Sequence, residues 1–378
     1  MHTRDPSILY QGLLRSPASW ARVGRGYLAG LRQLGHPVSA VQVRGFRYDP
    51  SFPIPEGIDE ISPESARAMP APDIGLGFVH PPHLDRLVGN LRTNFFVWES
   101  DRIPRPWVSH LTGRAHLVIV PSAFSRHALE TSGYPRDRIV LAPYGHDVSP
   151  GPSHRSQRSN GRPFCFLAVM SPHHRKGVVE LLKAYARAFS SHDDVVLTIK
   201  TTYDPGAAKR RFPFEILSWA SALRDAGLLE SNAPRYRLEI ATLSDDETLA
   251  LYRESDVYVN PSWGEAFGLA ILEAMASGLP VIATAWSGHL DFCLPGEDLV
   301  PYELTRNPEA LYEPHTDGQL AIPNIEALSS RMRWHFDHRD ASRTLGERCR
   351  AAAASMTWKQ AAETLLTRLD LAAQSRTE

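Results

Sequence analysis

The chain has 378 residues, 43% hydrophobic and 22% charged, enough for two domains of ordinary size. A formal net charge of −1 gives no electrostatic footprint for nucleic acid, and three widely spaced cysteines (Cys165, Cys293, Cys349) argue for a reducing compartment rather than a disulfide framework. No apolar run approaches the ~20 residues of a membrane span, and the opening MHTRDPSILYQGLL lacks the apolar core of a signal peptide, so the expected location is cytoplasmic.

Residues 7–14 (SILYQGLL) read as a first strand running into a loop. RSPASWARVGR (15–25) then leads into a helix, GYLAGLRQLG, stopped by Gly35, and VSAVQV follows as a second strand. Residues 49–72, rich in Pro, Ser and Glu, read as a loop or insertion. DIGLGFVH (73–80) is a short buried strand ending in His80. In NFFVWESDRIPRPW (94–107), Glu99 and Asp101 are expected to cap the following helix rather than to shape a cleft. LVIV enters a loop at Pro121-Ser122, where Ser122 and Ser125 can cap a helix, and RIVLAP is the next strand. SPGPSHRSQRSNGR (149–162) has linker composition, which divides the chain into domains 1–150 and 163–350.

FCFLAVMS (164–171) opens the second domain, followed by HHRKG (173–177) and a helix, VVELLKAYARAF. VVLTIKTT (195–202) is a strand with Lys200 near its end, RFPFEILSWASALRDAGL reads as a helix, and RLEIATL (237–243) as a strand. SDDETLALYRESD carries a helix start, with Ser244 as cap and Glu247 at the capping-box spacing. Residues 322–350 read as helical, and TWKQAAETLLTRLDLAA (357–373) as an amphipathic helix.

The most informative stretch is DVYVNPSWGEAFGLAILEAMASGLPVIATAWSGHLD (256–291), one β-α-β turn of a parallel sheet. Its helix runs from about Phe267 to Ala276, with Gly278 placed for a left-handed cap and Pro280 unable to continue it. The backbone N–H groups of Phe267, Gly268 and Leu269 would face outward at the positive end of the helix, a site for phosphate. Glu265 lies just before that start and Glu273 two turns in, and a carboxylate only accepts hydrogen bonds. Two acceptors bracketing a phosphate site suit a ligand with hydroxyls on both sides of a phosphate, the layout of a nucleotide sugar. Two Glu eight apart carry little weight alone, since helix-terminal Glu is common.

The whole run, SDVYVNPSWGEAFGLAILEAMASGLPVIAT, resembles the E-x7-E signature of the large retaining glycosyltransferase family 4, and residues 94–107 resemble the W-E-x-D-x-(I/L)-P-x-x-W segment of a bacterial branch of that family. The similarity is strong over 164–291, moderate over 94–147 and weak in the first 70 residues. It implies an α/β GT-B architecture: two Rossmann-like domains facing a central cleft, with the C-terminal helix crossing back to the first. The implied reaction moves a sugar, with retention, from a nucleoside diphosphate (UDP or GDP) to a hydroxyl on a small-molecule, glycan or lipid-linked acceptor, which leaves peripheral membrane contact open.

By that resemblance Lys176 and Arg175 face the donor diphosphate, His80 and Glu265 the sugar, Glu273 the ribose, and the loop at Thr242 and Leu243 the base. Cations at a helix start oppose its dipole, which favours an anionic partner for Arg175 and Lys176. The family's Gly-Gly pair of the first loop has only Gly24 and Gly26 as candidates here, separated by Arg25. No Asp-x-Asp occurs, Glu99-Ser100-Asp101 being the nearest imitation, so neither a metal nor a cofactor is expected and the protein must supply the positive charge. Two other readings fit the same features: a nucleotide-sugar 2-epimerase of the same architecture, and a non-catalytic nucleotide-sugar binder. A dinucleotide dehydrogenase fits poorly, because no G-x-G-x-x-G follows the first strand.

Overall fold

The computed structural model describes residues 6–43, 48–149, 161–202, 217–296, 298–306 and 318–374. The chain divides into two α/β units, one of residues Met1–Asp147 with Ser355–Glu378, the other of Val148–Ala354. Most of the linker reading at 149–162, and the first part of the helix reading at 211–228, lie outside the described residues.

The first unit is a seven-stranded sheet: β1 (Ile8–Gly12), β2 (Val38–Gln42), β3 (Asp59–Glu60), β4 (Ile74–Phe78), β5 (Leu91–Phe95), β6 (Leu117–Val120) and β7 (Ile139–Leu141), in the order β3-β2-β1-β4-β5-β6-β7. Every pairing is parallel; β1 pairs Ile8 with Val38 on one side and with Ile74 on the other. All five residues of β1 are buried, as a central parallel strand covered on both faces requires. The order reverses between β1 and β4, where open α/β sheets leave a crevice at the strand ends.

Helix α1 (Ser19–Gln33) corrects the sequence reading: Gly24 and Gly26 lie inside it, not in a phosphate-binding loop. They are there for packing. A Cβ on Gly24 would sit 2.3 Å from the Tyr10 hydroxyl, and one on Gly26 2.1 Å from the Trp358 ring. Trp358 opens the C-terminal helix (Trp358–Gln374), which packs on α1 within this unit. Its indole lies against Tyr27 and donates to Asp147 Oδ2 at 3.1 Å. The short helix α2 (Pro63–Ala68) is capped by Ser62.

Helix α3 (Arg105–Arg114) has Pro104 at its cap position and no side-chain cap, so Glu99 and Asp101 do not cap it. Ser100 instead joins Trp98 Nε1 and the Arg102 carbonyl in a local turn. Helix α4 (Ala123–Thr131) is capped by Ser122 alone; Ser125 lies inside it and its amide donates to the cap.

The second unit is a six-stranded parallel sheet: β8 (Phe164–Val169), β9 (Val195–Thr201), β10 (Arg235–Ile240), β11 (Val257–Asn260), β12 (Val281–Thr284) and β13 (Leu299–Val300), in the order β10-β9-β8-β11-β12-β13. A separate antiparallel pair joins β14 (Tyr302–Arg306) to β15 (Gln319–Pro323). Helices α5 (Val178–Ala188), α6 (Trp219–Asp225), α7 (Asp245–Glu254), α8 (Leu269–Ala276), α9 (Ile325–Asp337) and α10 (Arg339–Ala353) complete the unit. The helical reading of 322–350 is thus two helices broken at His338, and the sequence-expected strand at 237–243 lies two to three residues earlier. Ser244 and Glu247 form the expected capping box.

Phe166, Leu181, Tyr185, Val195, Ile199, Val257, Ile282, Leu328 and Met332 belong to one buried cluster beneath the sheet. The chain runs outward through β8, β9 and β10, then returns to place β11 beside β8. The loops after β8 and β11 therefore leave neighbouring strand ends at the point of reversal, where ligands of such sheets bind.

Candidate active site

The β8–α5 and β11–α8 loops are stitched together by their backbones. Trp263 N donates to Arg175 O at 2.7 Å, and Ser262 Oγ lies 3.0 Å from the same oxygen and 2.9 Å from Gly264 O. Arg175 Nη1 donates back to Gly264 O at 2.7 Å. Gly177, at φ +68°, begins α5, and a Cβ there would lie 2.0 Å from Pro261 O, so only glycine permits this approach.

These contacts bring Lys176 and Glu265 together, 89 residues apart in sequence, with Nζ donating to Oε1 at 2.6 Å. Their side chains are 21% and 11% exposed, so the pair is largely out of water. Burial pushes the Glu265 carboxyl up, but the Lys176 and Arg175 charges and the Lys176 hydrogen bond outweigh it and hold it down at about 2. Glu265 is therefore ionised throughout the physiological range.

A third loop fixes the backbone of Glu265. Ser287 Oγ accepts from Glu265 N at 2.9 Å, and Gly288 N donates to Glu265 O at 2.9 Å. Ser287 adopts φ +86°, the one non-glycine residue in the left-handed region among those described. Such strain concentrates where a side chain is needed in place. A Cβ on Gly288 would lie 2.1 Å from Ala266 O. Sequence reasoning did not single out these two residues; a Ser-Gly pair in the turn after a strand was the available signal.

His289, in the same turn, is fully buried. Its Nε2 lies 2.7 Å from Thr284 O, which fixes the ring proton on that nitrogen, and its Nδ1 has no partner among the described residues. Burial lowers its pKa, against the raising influence of the Thr284 carbonyl and of Glu265 and Asp291.

Helix α8 starts two residues later than the sequence suggests, at Leu269, with Gly268 at φ +93° as its cap residue. Gly268 O accepts from Ile271 and Leu272 N, while the amides of Gly268, Leu269 and Ala270 find no acceptor among the described residues. Phe267 is buried with its ring 4.8 Å from that of Phe292. An unsatisfied helix start beside an ammonium and a carboxylate can hold an anionic group and accept hydrogen bonds from hydroxyls next to it.

The remaining sequence-derived candidates are placed differently. Glu273 is buried within α8, and its Oε2 accepts from the Tyr252 hydroxyl at 3.3 Å. Thr242 and Leu243 lie in the loop after edge strand β10, two strands from β8, roughly 10 Å in the direction of the ladder. No hydrogen bond joins them to the Lys176–Glu265 pair among the described residues. His80 lies in the first unit just beyond β4, half-buried, its ring edge-on to Trp107 with centroids 4.5 Å apart.

Residues 162–314 match the family model described as Glycosyl transferases group 1. D-inositol 3-phosphate glycosyltransferase of Arthrobacter sp. (strain FB24) is 32% identical over 226 residues, which cover 57% of this chain and 50% of that protein. The chain spans about half the length of the D-inositol 3-phosphate glycosyltransferases it matches over 226 residues. Among solved structures, Anabaena Alr3699/HepE in complex with UDP and glucose aligns with a TM-score of 0.69 at 14% identity, over 97% of this chain and 99% of that one. Sucrose-phosphate synthase from Thermosynechococcus elongatus aligns at 0.66 and 17%, over 99% and 100%. Both likenesses lie in the fold, two parallel-sheet α/β units with a reversal point in each sheet. The chain is built on the GT-B fold, and its residues 162–314 are similar to the group 1 glycosyltransferases.

Proposed function

We propose that this chain is a retaining glycosyltransferase that moves a sugar from a nucleoside-diphosphate sugar to a hydroxyl acceptor without a metal. The observation that carries this reading is the meeting of Lys176, Arg175 and Glu265 at the open start of α8. The physical problem in such a transfer is a leaving diphosphate and an electron-poor sugar. The amides at Gly268 and Leu269, with Lys176, would stabilise the leaving diphosphate, and Arg175 adds positive charge beside it. Glu265 would accept from sugar hydroxyls and orient the ring, and Glu273 would hold the ribose if Tyr252 yields its oxygen. The Thr242–Leu243 loop would serve the base. Structural neighbours solved in complex with UDP, or with UDP and glucose, support UDP as the first donor to test.

The test is incubation of the protein with UDP-, GDP-, ADP- and TDP-sugars, with and without hydroxyl acceptors, following nucleotide release and the anomeric configuration of product by NMR. Transfer with retention is the expected outcome. An epimerised sugar nucleotide in the absence of acceptor would favour the isomerase reading, and binding without turnover would leave a nucleotide-sugar binder.

A further inference from the structure

We propose that Glu265 competes with a bound nucleoside diphosphate for Lys176, so that the site retains the intact sugar nucleotide and expels the nucleotide once its sugar has gone. The inference rests on the donor-site reading above and adds to it a way of telling donor from product. Among the described residues Lys176 Nζ has one acceptor, Glu265 Oε1 at 2.6 Å. Arg175 is fixed by its bond to Gly264 O, whereas Lys176 is a flexible stem carrying a point charge. The Lys176 ammonium is therefore the mobile positive charge beside the α8 start.

A diphosphate arriving at the Gly268 amides would draw on that ammonium and either take it from Glu265 or crowd a second anion against the first. Both cost free energy, because a largely buried carboxylate is left with less compensation. A nucleoside diphosphate has no donor on its phosphates to repair this. The sugar of the intact donor has hydroxyl groups, which can donate to the Glu265 oxygens in place of Lys176. Intact donor thus replaces the bond that its diphosphate removes, and the sugar-free nucleotide does not. When the glycosyl group has been transferred, Glu265 reclaims Lys176 and the diphosphate loses its counter-charge.

Isothermal titration of UDP, GDP, ADP and TDP, and of their glucose forms, into wild type and E265Q tests this. For the base that binds, E265Q is expected to hold the diphosphate roughly tenfold tighter than wild type and the sugar nucleotide no tighter. In a K176M background the gain on the diphosphate should vanish. Diphosphate binding by E265Q that is unchanged or weaker overturns the inference and leaves the donor site standing. If wild type binds none of the eight probes, the donor-site reading falls and the inference with it. Should E265Q melt below the assay temperature, Glu265→Asp, whose shorter side chain lengthens the contact, carries the same prediction with a smaller gain.

Discussion

Lys176 and Glu265 are each costly to bury alone, and each is tolerable because the other is there. We predict that Lys176→Met lowers stability by about 2–3 kcal/mol, less than for a fully buried pair because the lysine side chain keeps partial contact with water. Chemical denaturation at neutral pH measures it, and a loss within error of zero would show the pair to be ornamental. Acid should act in two steps. His289 has a folded pKa below its ordinary 6.5, so the unfolded chain takes up the proton first, and stability declines as pH falls below that value. Glu265 is depressed from 4.5 to about 2, so its contribution is whole above 4.5 and disappears on the way down to about 2. Asp298, lifted by burial yet held down overall by His335 and Arg331, contributes stability that is whole above its ordinary 3.8 and is lost as pH falls through its lowered folded value. Thermal midpoints against pH should show the upper step removed by His289→Gln and the lower one reduced by Glu265→Gln. Because the positive charge at the site comes from Lys176 and Arg175, we also predict that transfer survives EDTA; turnover that Mg²⁺ or Mn²⁺ alone restores would refute this.

The loops that carry the site are shaped by glycines at close approaches, and substitutions there separate packing from chemistry. Gly288→Ala drives a Cβ into the Ala266 carbonyl at 2.1 Å and must displace the backbone that seats Glu265. We predict a cost of about 1–3 kcal/mol together with a large loss of turnover. Gly35→Ala is the control: its φ of +88° is strained but nothing lies within 4 Å, so melting should shift slightly and activity should hold. Much of this element was legible beforehand. A strand, a helix with its Gly278 stop and the two glutamates lie within 36 contiguous residues, where local propensity and spacing speak directly. The Lys176–Glu265 pairing was not legible, since only the parallel neighbours β8 and β11 bring those loops together. Gly24 and Gly26 misled because a glycine-rich run looks the same whether it clears room for phosphate or for Tyr10 and Trp358. Glu99 and Asp101 misled because the cap position went to Pro104.

At the scale of the whole molecule, the first unit is assembled from both ends of the described chain, with the second unit inserted between its parts. Trp358, Ala361, Ala362, Leu365 and Leu369 are buried there, and Gly26 and Gly30 leave room for no substitute surface. A chain ending at Ala354 should therefore lose the melting transition of the first unit and keep that of the second, which calorimetry would show. Two intact transitions would mean that the terminal helix is dispensable. The same connectivity imposes an order on synthesis. At about 5–20 residues per second the ribosome needs roughly 10–40 s to make residues 148–354 after the seventh strand has emerged, and only then does the last helix follow. Throughout that wait the nascent first unit presents the bare Tyr27 and Gly26 face of α1, so the later-made unit is positioned to mature first, and chaperone dependence should concentrate on the earlier one.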